Sequence, residues 1–220
     1  MIQSGHSRGP QALKFLRHDW NLAKIRPFIN GEPAYEAHPN NFQGGYEGWL
    51  DESDVRRDLY YTICSGAAGY TYGAHPIWQF CNPLLNPPIN QPRMTWRKAL
   101  ELPGAKQLVI AKKLLEDLST NLREPADSFL NAQEKPILPA VACRDAVGSW
   151  ALIYLPESQT VDINLAILAN LPAKAIFINP RTGQTTVTEQ LTANETTRRF
   201  IPPASFDNTQ DCLILLKTAR

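Results

Sequence analysis

The sequence lacks the features that identify several large classes of protein. None of its apolar runs reaches the roughly 18 residues that a helix needs to span a bilayer. A signal peptide has a charged segment, an apolar stretch and a small-residue cleavage site, and the N-terminus lacks this pattern. We therefore expect a cytoplasmic location for the chain as it stands. The net charge is only +1 and the basic residues are scattered, so neither a nucleic acid nor a membrane is expected as a partner.

Sequence motifs for thiol and metal chemistry are also missing. The four cysteines lie far apart and form no CxxC pair, so neither a zinc ribbon nor a thioredoxin-type site is expected. Cys143 and Cys212 lie in apolar, strand-like runs, where buried thiols are the favoured interpretation and a disulfide is the alternative. Residues 4–7 (SGHS) do not form the GxSxG elbow, which disfavours a serine hydrolase.

The first part of the chain alternates strand and helix patterns. A helix opening at Pro10 follows the first strand, and a helix with Val55, Leu59 and Ile63 on one face follows the second. Turn-rich residues 33–50 form a long predicted loop between the second strand and the second helix. The predicted strands are residues 1–6, 25–32 and 67–73. This order is typical of βαβ units, in which the strands lie parallel.

The second part of the chain contains short strand patterns separated by turn residues. A linker is predicted over residues 121–140, after an amphipathic helix, because Pro136 and Pro139 interrupt the pattern there. Seven strand candidates follow: 137–144, 149–155, 161–165, 175–179, 185–190, 198–201 and 212–216. Strands at this spacing predict an antiparallel β-sandwich.

Polar and aromatic side chains follow the three predicted parallel strands. His6 follows the first strand, Glu32 ends the second with Tyr35 and Glu36 close behind, and His75 and Trp78 follow the third. Because functional groups of parallel sheets collect at the carboxyl ends of strands, we expect these side chains to lie close together. A carboxylate with imidazoles and exposed aromatic rings is typical of a sugar-binding site.

Each of these residues also has a structural interpretation. Glu32 could cap a neighbouring backbone amide, and Trp78 could belong to the core instead of forming a sugar platform. His6, His38 and His75 could be drawn as a metal triad, but their spacing matches no local ligand pattern. Hydrogen-bonding histidines are therefore favoured, and we expect no metal and no other cofactor.

Several segments resemble the apiosidase-like glycoside hydrolase family and its companion module. The first part resembles that family at residues 1–7 (MIQSGHS), 27–36 (PFINGEPAYE), 55–57 (VRR) and 66–78 (GAAGYTYGAHPIW). The later part resembles the so-called putative collagen-binding domain at residues 96–107 (WRKALELPGAKQ), 153–156 (IYLP), 179–183 (NPRTG) and 211–215 (DCLIL). The resemblance implies a portion of a (β/α)8 barrel over residues 1–125, followed by a β-sandwich over residues 137–220.

The resemblance also implies the chemistry of a retaining glycosidase. In that family a carboxylate at the end of the seventh barrel strand is the nucleophile, and Glu32 matches that position within Asn-Gly-Glu-Pro. Glu36 is the second choice for a catalytic carboxylate, because a residue four positions along one loop is poorly placed to flank both faces of a sugar. His6, Tyr35, His75 and Trp78 are expected to shape the sugar-binding subsite.

A full barrel takes about 250 residues and eight strands, and only about three strands fit before the predicted linker. We therefore expect a truncated chain, without activity on its own, that acts on a complex plant-type polysaccharide when a separate polypeptide supplies the remaining strands. The parent enzyme could be secreted. The alternative function is a non-catalytic β-sandwich module, for which a structural buttress is favoured over carbohydrate binding, and both over collagen binding.

Overall fold

The computed structural model describes residues 1–24, 26–85, 87–118, 122–131, 137–206 and 210–218, without the side chains of residues 187–189. The chain divides into two compact units. The first comprises Met1–Ile63 with Ala67–Val109, and the second comprises Cys64–Gly66 with Ile110–Arg220. Within the described ranges, no helix has the length and apolar character required to cross a membrane.

The first unit contains a three-stranded parallel sheet. Its strands are β1 (Ile2–Gln3), β2 (Ile29–Glu32) and β3 (Gly69–Tyr70), in the order β1-β2-β3. Both pairs are parallel, and the register places Gln3 opposite Glu32. The parallel strand–helix order predicted from the sequence is therefore confirmed.

Helices α1 (Gln11–Trp20) and α3 (Glu52–Cys64) connect these strands. In α1, Ala12 and Leu16 are four residues apart and buried, which places them on one face of the helix. In α3, the predicted inner face is confirmed because Val55, Leu59 and Ile63 are all buried. Periodic apolar residues thus determine which side of each helix packs inward.

The remaining helices of the described ranges are mostly short. The predicted loop over residues 33–50 contains a 3-10 helix at Asn40–Phe42 and the one-turn helix α2 (Gly44–Glu47). Two further one-turn helices follow, α4 (His75–Trp78) and α5 (Trp96–Ala99). The long helix α6 (Pro103–Asp117) corresponds to the amphipathic helix predicted from the sequence.

The second unit contains two antiparallel sheets. The strands are β4 (Arg123–Pro125), β5 (Leu130–Asn131), β6 (Val141–Asp145), β7 (Trp150–Leu155), β8 (Val161–Asn164), β9 (Ala173–Ile178), β10 (Thr185–Leu191), β11 (Thr197–Phe200) and β12 (Cys212–Thr218). The larger sheet has the order β10-β9-β12-β7-β6-β4, and the smaller has the order β11-β8-β5. Each of the seven predicted strands overlaps one of β6 to β12.

Side chains from both antiparallel sheets share one hydrophobic core. Ile153 and Ile214 from the larger sheet belong to the same buried cluster as Ile163 from the smaller one. The rings of Phe177 and Phe200 also meet edge to face, with centroids 6.2 Å apart. The burial of these apolar faces is the main stabilising contribution in this unit.

The predicted linker over residues 121–140 differs from the structure in its described part. Strand β4 lies within it and pairs with β6, and strand β5 pairs with β8. Both strands are short and lie at sheet edges, where backbone pairing needs no alternating apolar pattern and Pro125 is tolerated. Residues 121 and 132–136 of the predicted linker lie outside the described ranges.

All four cysteines are free and buried. The favoured interpretation of Cys143 and Cys212 as buried thiols is confirmed, and no disulfide joins them. Burial raises the pKa of the Cys212 thiol to about 12, and the charge of neighbouring Asp211 adds to this effect. Cys212 is consequently a protonated core residue at neutral pH.

Candidate active site

Glu32 lies at the carboxyl end of β2, where the parallel register brings the end of β1 beside it. The Gln3 Nε2 atom donates a hydrogen bond of 2.6 Å to Glu32 Oε2. The His6 Nε2 atom lies 3.5 Å from Glu32 Oε1. The carboxylate is therefore contacted on both oxygens, yet its side chain is 38% exposed and can meet a ligand.

His6 is buried beside this carboxylate. Its ring centroid lies 4.6 Å from that of Tyr35 and 4.0 Å from that of His38. Burial lowers the pKa of His6, while the negative charge of Glu32 opposes this shift. The net direction keeps His6 neutral at neutral pH, and its Nδ1 atom has no hydrogen-bond partner among the described residues.

Tyr35 contacts the ring of His6. Its pKa is raised by partial burial and by the charge of Glu32, so its hydroxyl remains protonated under ordinary conditions. A Cβ atom at Gly73 would overlap the Tyr35 ring. Glycine at this position thus allows the segment after β3 to pass close to the tyrosine.

A continuous row of rings extends from His6 to the third strand end. The His38 ring lies 4.5 Å from the ring of His75, and the ring of Trp78 stacks on His75 at 6.0 Å. His75 is buried, whereas Trp78 is 58% exposed. His75 Nε2 lies 3.0 Å from the carbonyl oxygen of Ile89, which fixes the ring. Predicted site residues from all three strand ends are thus brought together.

Glu36 lies in a different environment from Glu32. It is 1% exposed, and its carboxylate accepts hydrogen bonds from the Tyr72 hydroxyl (2.6 Å) and the backbone amide of Gly104 (3.1 Å). Burial raises the pKa of Glu36, and these two hydrogen bonds oppose the shift. A buried carboxylate that caps the first turn of α6 is suited to a structural role.

Two buried aspartates on α3 contact the segments that carry the site. Asp58, on α3, accepts a hydrogen bond of 3.0 Å from the backbone amide of Ala34. Burial raises the pKa of Asp58 to about 7, and the Ala34 hydrogen bond opposes this shift. Asp54 on the same helix is buried and forms ion pairs with Arg8 and Arg57. These contacts connect α3 to the segments after β1 and β2.

Sequence reasoning missed Gln3 and Phe42 as contributors to this site, and it considered His38 only as a metal ligand or a hydrogen-bonding residue. Gln3 reaches Glu32 only through the strand register, and His38 bridges His6 and His75 through ring contacts. Phe42, from the predicted loop, lies 4.7 Å from the His38 ring. Within the described ranges, no group of three or more His, Cys, Asp or Glu side chains is arranged to hold a metal ion.

Comparison with known structures gives several matches, and two of the matching chains cover 99% of this chain. One is described as a glycoside hydrolase, with a TM-score of 0.86 and 22% sequence identity. The other is a glycoside hydrolase family 5 protein from Bacteroides vulgatus, also with a TM-score of 0.86 and 22% identity. This chain covers 52% and 50% of those two chains, so it spans about half of their length. At this identity the likeness concerns the fold.

Comparison with curated protein sequences gives no match. Family models, however, account for nearly the whole chain. The model "putative collagen-binding domain of a collagenase" matches residues 125–217. It follows the model "apiosidase-like, catalytic domain", which matches residues 1–121. The order is the one expected from the sequence resemblance, and the chain belongs to the apiosidase-like catalytic-domain family.

Proposed function

We propose that this chain is the C-terminal part of a retaining glycoside hydrolase that acts on a complex plant-type polysaccharide, with Glu32 as the nucleophile. The observation that carries the proposal is the position of Glu32. Its carboxylate lies at a parallel strand end, is held by Gln3 and His6, and remains accessible. The family match over residues 1–121 supports the same reaction class.

The proposed reaction has two steps. One Glu32 oxygen attacks the anomeric carbon of the sugar, and the bond from that carbon to the leaving oxygen breaks as a second carboxylic acid protonates this oxygen. Water, deprotonated by the same second carboxylate, then attacks the anomeric carbon and releases Glu32. Gln3 and His6 hold the two Glu32 oxygens, while Tyr35, His75 and Trp78 line the subsite.

The second carboxylate belongs, in this proposal, to a barrel segment outside the chain. In this proposal the sheet β1-β2-β3 supplies three of eight barrel strands. The expected barrel part is residues 1–125, of which the last three form β4 and pair with β6 in the second unit. The two outer strands are paired on one side only within the described ranges, so they offer backbone hydrogen bonds to further strands. The partner polypeptide would complete both the barrel and the catalytic pair.

Residues 137–220 form, in this proposal, a structural β-sandwich. A surface cavity of about 390 Å³ in this unit is lined by Asn164, Leu168 and Glu195 among others, and none of its lining side chains within the described ranges is aromatic. Sugar sites use aromatic faces to bind the apolar side of the ring. This observation favours a buttress over a carbohydrate-binding module.

Covalent trapping tests the role of Glu32. The reagents are 2,4-dinitrophenyl 2-deoxy-2-fluoro glycosides of glucose, galactose, xylose and arabinose. Dinitrophenolate leaves without protonation, so labelling requires the nucleophile and not the acid. The chain is treated alone and together with a polypeptide that supplies the remaining barrel strands. We expect one glycosyl adduct by intact mass, and peptide mapping should place it on Glu32.

Two matched variants make the trapping result specific. Glu32→Gln should abolish the adduct, because an amide is a poor nucleophile, whereas Glu36→Gln should retain it in folded protein. Circular dichroism of both variants monitors folding. An adduct that persists in Glu32→Gln, or the absence of any adduct in the folded, completed protein, would refute the proposed function.

A further inference from the structure

The turn before α2 contains two consecutive residues in the left-handed backbone region. Asn41 has φ 48° and Phe42 has φ 63°. Asparagine is tolerated there, but a bulky residue such as phenylalanine is rarely found in this conformation. Backbone strain of this kind persists only where the surrounding structure enforces it.

Hydrogen bonds from three directions enforce this turn. The Asn41 backbone amide donates to the carbonyl oxygen of His6 (2.9 Å), and the Ser7 hydroxyl donates to Asn41 Oδ1 (2.6 Å). The Asn41 side-chain amide donates to Glu47 Oε2 (2.5 Å). The turn is therefore attached to the segment after β1, which carries His6.

The strained backbone presents the Phe42 ring at the surface. Phe42 is 57% exposed, although its edge-to-face contacts reach His38 at 4.7 Å and His6 at 5.7 Å. A phenylalanine whose purpose was core packing would be expected to lose most of its exposure. One edge of the Phe42 ring packs against the two histidines, while much of the ring remains exposed to solvent.

The location of this ring connects it to the candidate nucleophile. His6 contacts Phe42 through its ring and approaches Glu32 through its Nε2 atom at 3.5 Å. Phe42 is thus separated from Glu32 by a single side chain. Burial lowers the pKa of both His6 and His38, so the surface behind the ring is uncharged at neutral pH. An uncharged, partly apolar surface of this kind can pack against the C–H face of a sugar ring.

We infer that Phe42 is a sugar-stacking residue, which binds a second sugar ring of the polysaccharide in the subsite adjoining that of Glu32. This inference rests on the proposed glycosidase function. It adds a binding residue that contacts both His6 and His38, at the end of the row of rings that continues through His75 to Trp78. The strained turn serves to aim the ring across the site.

Oligosaccharide binding tests this inference. The probes are cellotetraose, xylotetraose and the tetrasaccharide of polygalacturonic acid, and affinity is measured by calorimetry with the same protein preparation used for trapping. Loss of the ring in Phe42→Ala should weaken binding of the recognised tetrasaccharide by about tenfold, the size expected for an aromatic contact. Phe42→Tyr keeps the stacking face and should bind nearly as tightly as the parent chain.

A matched control separates stacking from general effects of losing a phenylalanine. Phe15 on α1 is 44% exposed, so Phe15→Ala removes the same atoms from a partly exposed site without changing the row of rings. It should leave the affinity unchanged. Thermal unfolding of each variant establishes that the folded fraction is the same during the binding experiment.

The possible outcomes distinguish failure of this inference from failure of the proposed function. If Phe42→Ala and the parent chain bind the tetrasaccharide with equal affinity, the stacking role is overturned. It is also overturned if Phe42→Ala weakens only the binding of the polypeptide that completes the barrel. Glu32 labelling without tetrasaccharide binding also overturns it, while the glycosidase proposal survives. Absence of both labelling and binding overturns both.

Discussion

At the scale of single residues, burial of ionisable groups determines the electrostatics of the candidate site. His38 is 2% exposed and its Nδ1 atom lies 2.7 Å from the carbonyl oxygen of Pro39. Burial lowers its pKa to about 4, and the neighbouring His6 acts in the same direction. Asp58 shifts the opposite way, because burial raises its pKa to about 7. Both shifts favour the uncharged form.

The His38 shift predicts a loss of stability in acid. Because the unfolded chain binds a proton near pH 6.5 and the folded chain only near pH 4, the free energy of unfolding should fall as the pH decreases through this window. The contribution is at most about 3 kcal/mol. Urea unfolding at pH 7 and pH 4.5 measures it, and His38→Asn should reduce the difference between the two pH values.

Burial also shifts the pKa values of His6, His75 and Asp58, so each variant is compared with the parent chain. The pKa values of His6 and His75 are lowered by burial and add to the acid sensitivity. Stability from Asp58 instead decreases as the pH rises from about 4 to 7. His18→Asn, on the exposed side of α1, is the control. An equal response in His38→Asn and the parent would contradict the prediction.

At the scale of elements, the start of α6 depends on a carboxylate from a distant loop. The first amides of a helix have no partner within the helix, and the Gly104 amide donates to Glu36. Tyr72, after β3, donates to the same carboxylate. Glu36 therefore joins three segments of the first unit, the loop after β2, the segment after β3 and the first turn of α6.

This junction predicts a strict requirement for glycine at position 104. A Cβ atom there would overlap the Glu36 carboxylate, so Gly104→Ala must displace Glu36 or the helix end. We expect a loss of about 2 kcal/mol or more in the free energy of unfolding, measured in urea. Gly45→Ala, in α2 with no atom within 4 Å of the added carbon, should change it little. Equal stability of the two variants would rule out the proposed junction.

At the scale of the whole molecule, the two units differ in how completely their sheets are paired. In the larger antiparallel sheet, β7, β9 and β12 each have a partner on both sides. In the parallel sheet, only β2 has two partners within the described ranges, while β1 and β3 lie at the edges. Edge strands leave backbone groups available for pairing with another chain.

Hydrogen exchange followed by mass spectrometry should reproduce this difference. In the chain alone, we expect the slowest exchange in β7, β9 and β12 and markedly faster exchange in β1 and β3. The polypeptide that supplies the remaining barrel strands should slow exchange in β1 and β3, while β12 serves as the internal control. Equally slow exchange in β1, β3 and β12 of the isolated chain would contradict the incomplete-barrel proposal.

The local pattern of the sequence determined the order of elements and the family. The spacing of Val55, Leu59 and Ile63 predicted the inner face of α3, and turn residues separated the strands from β6 to β12. The position of Glu32 at a strand end also follows from sequence. These features depend on neighbouring residues, whose periodicity and turn preferences are visible along the chain.

Only the tertiary structure decided which side chains meet at the site. The parallel register places Gln3 opposite Glu32, and three histidines far apart in sequence form one row of rings. Glu36, four residues after Glu32, is instead buried against α6. Strands β4 and β5 likewise form through pairing with distant partners. Such contacts depend on strand register and on packing between separate segments, which no local pattern specifies.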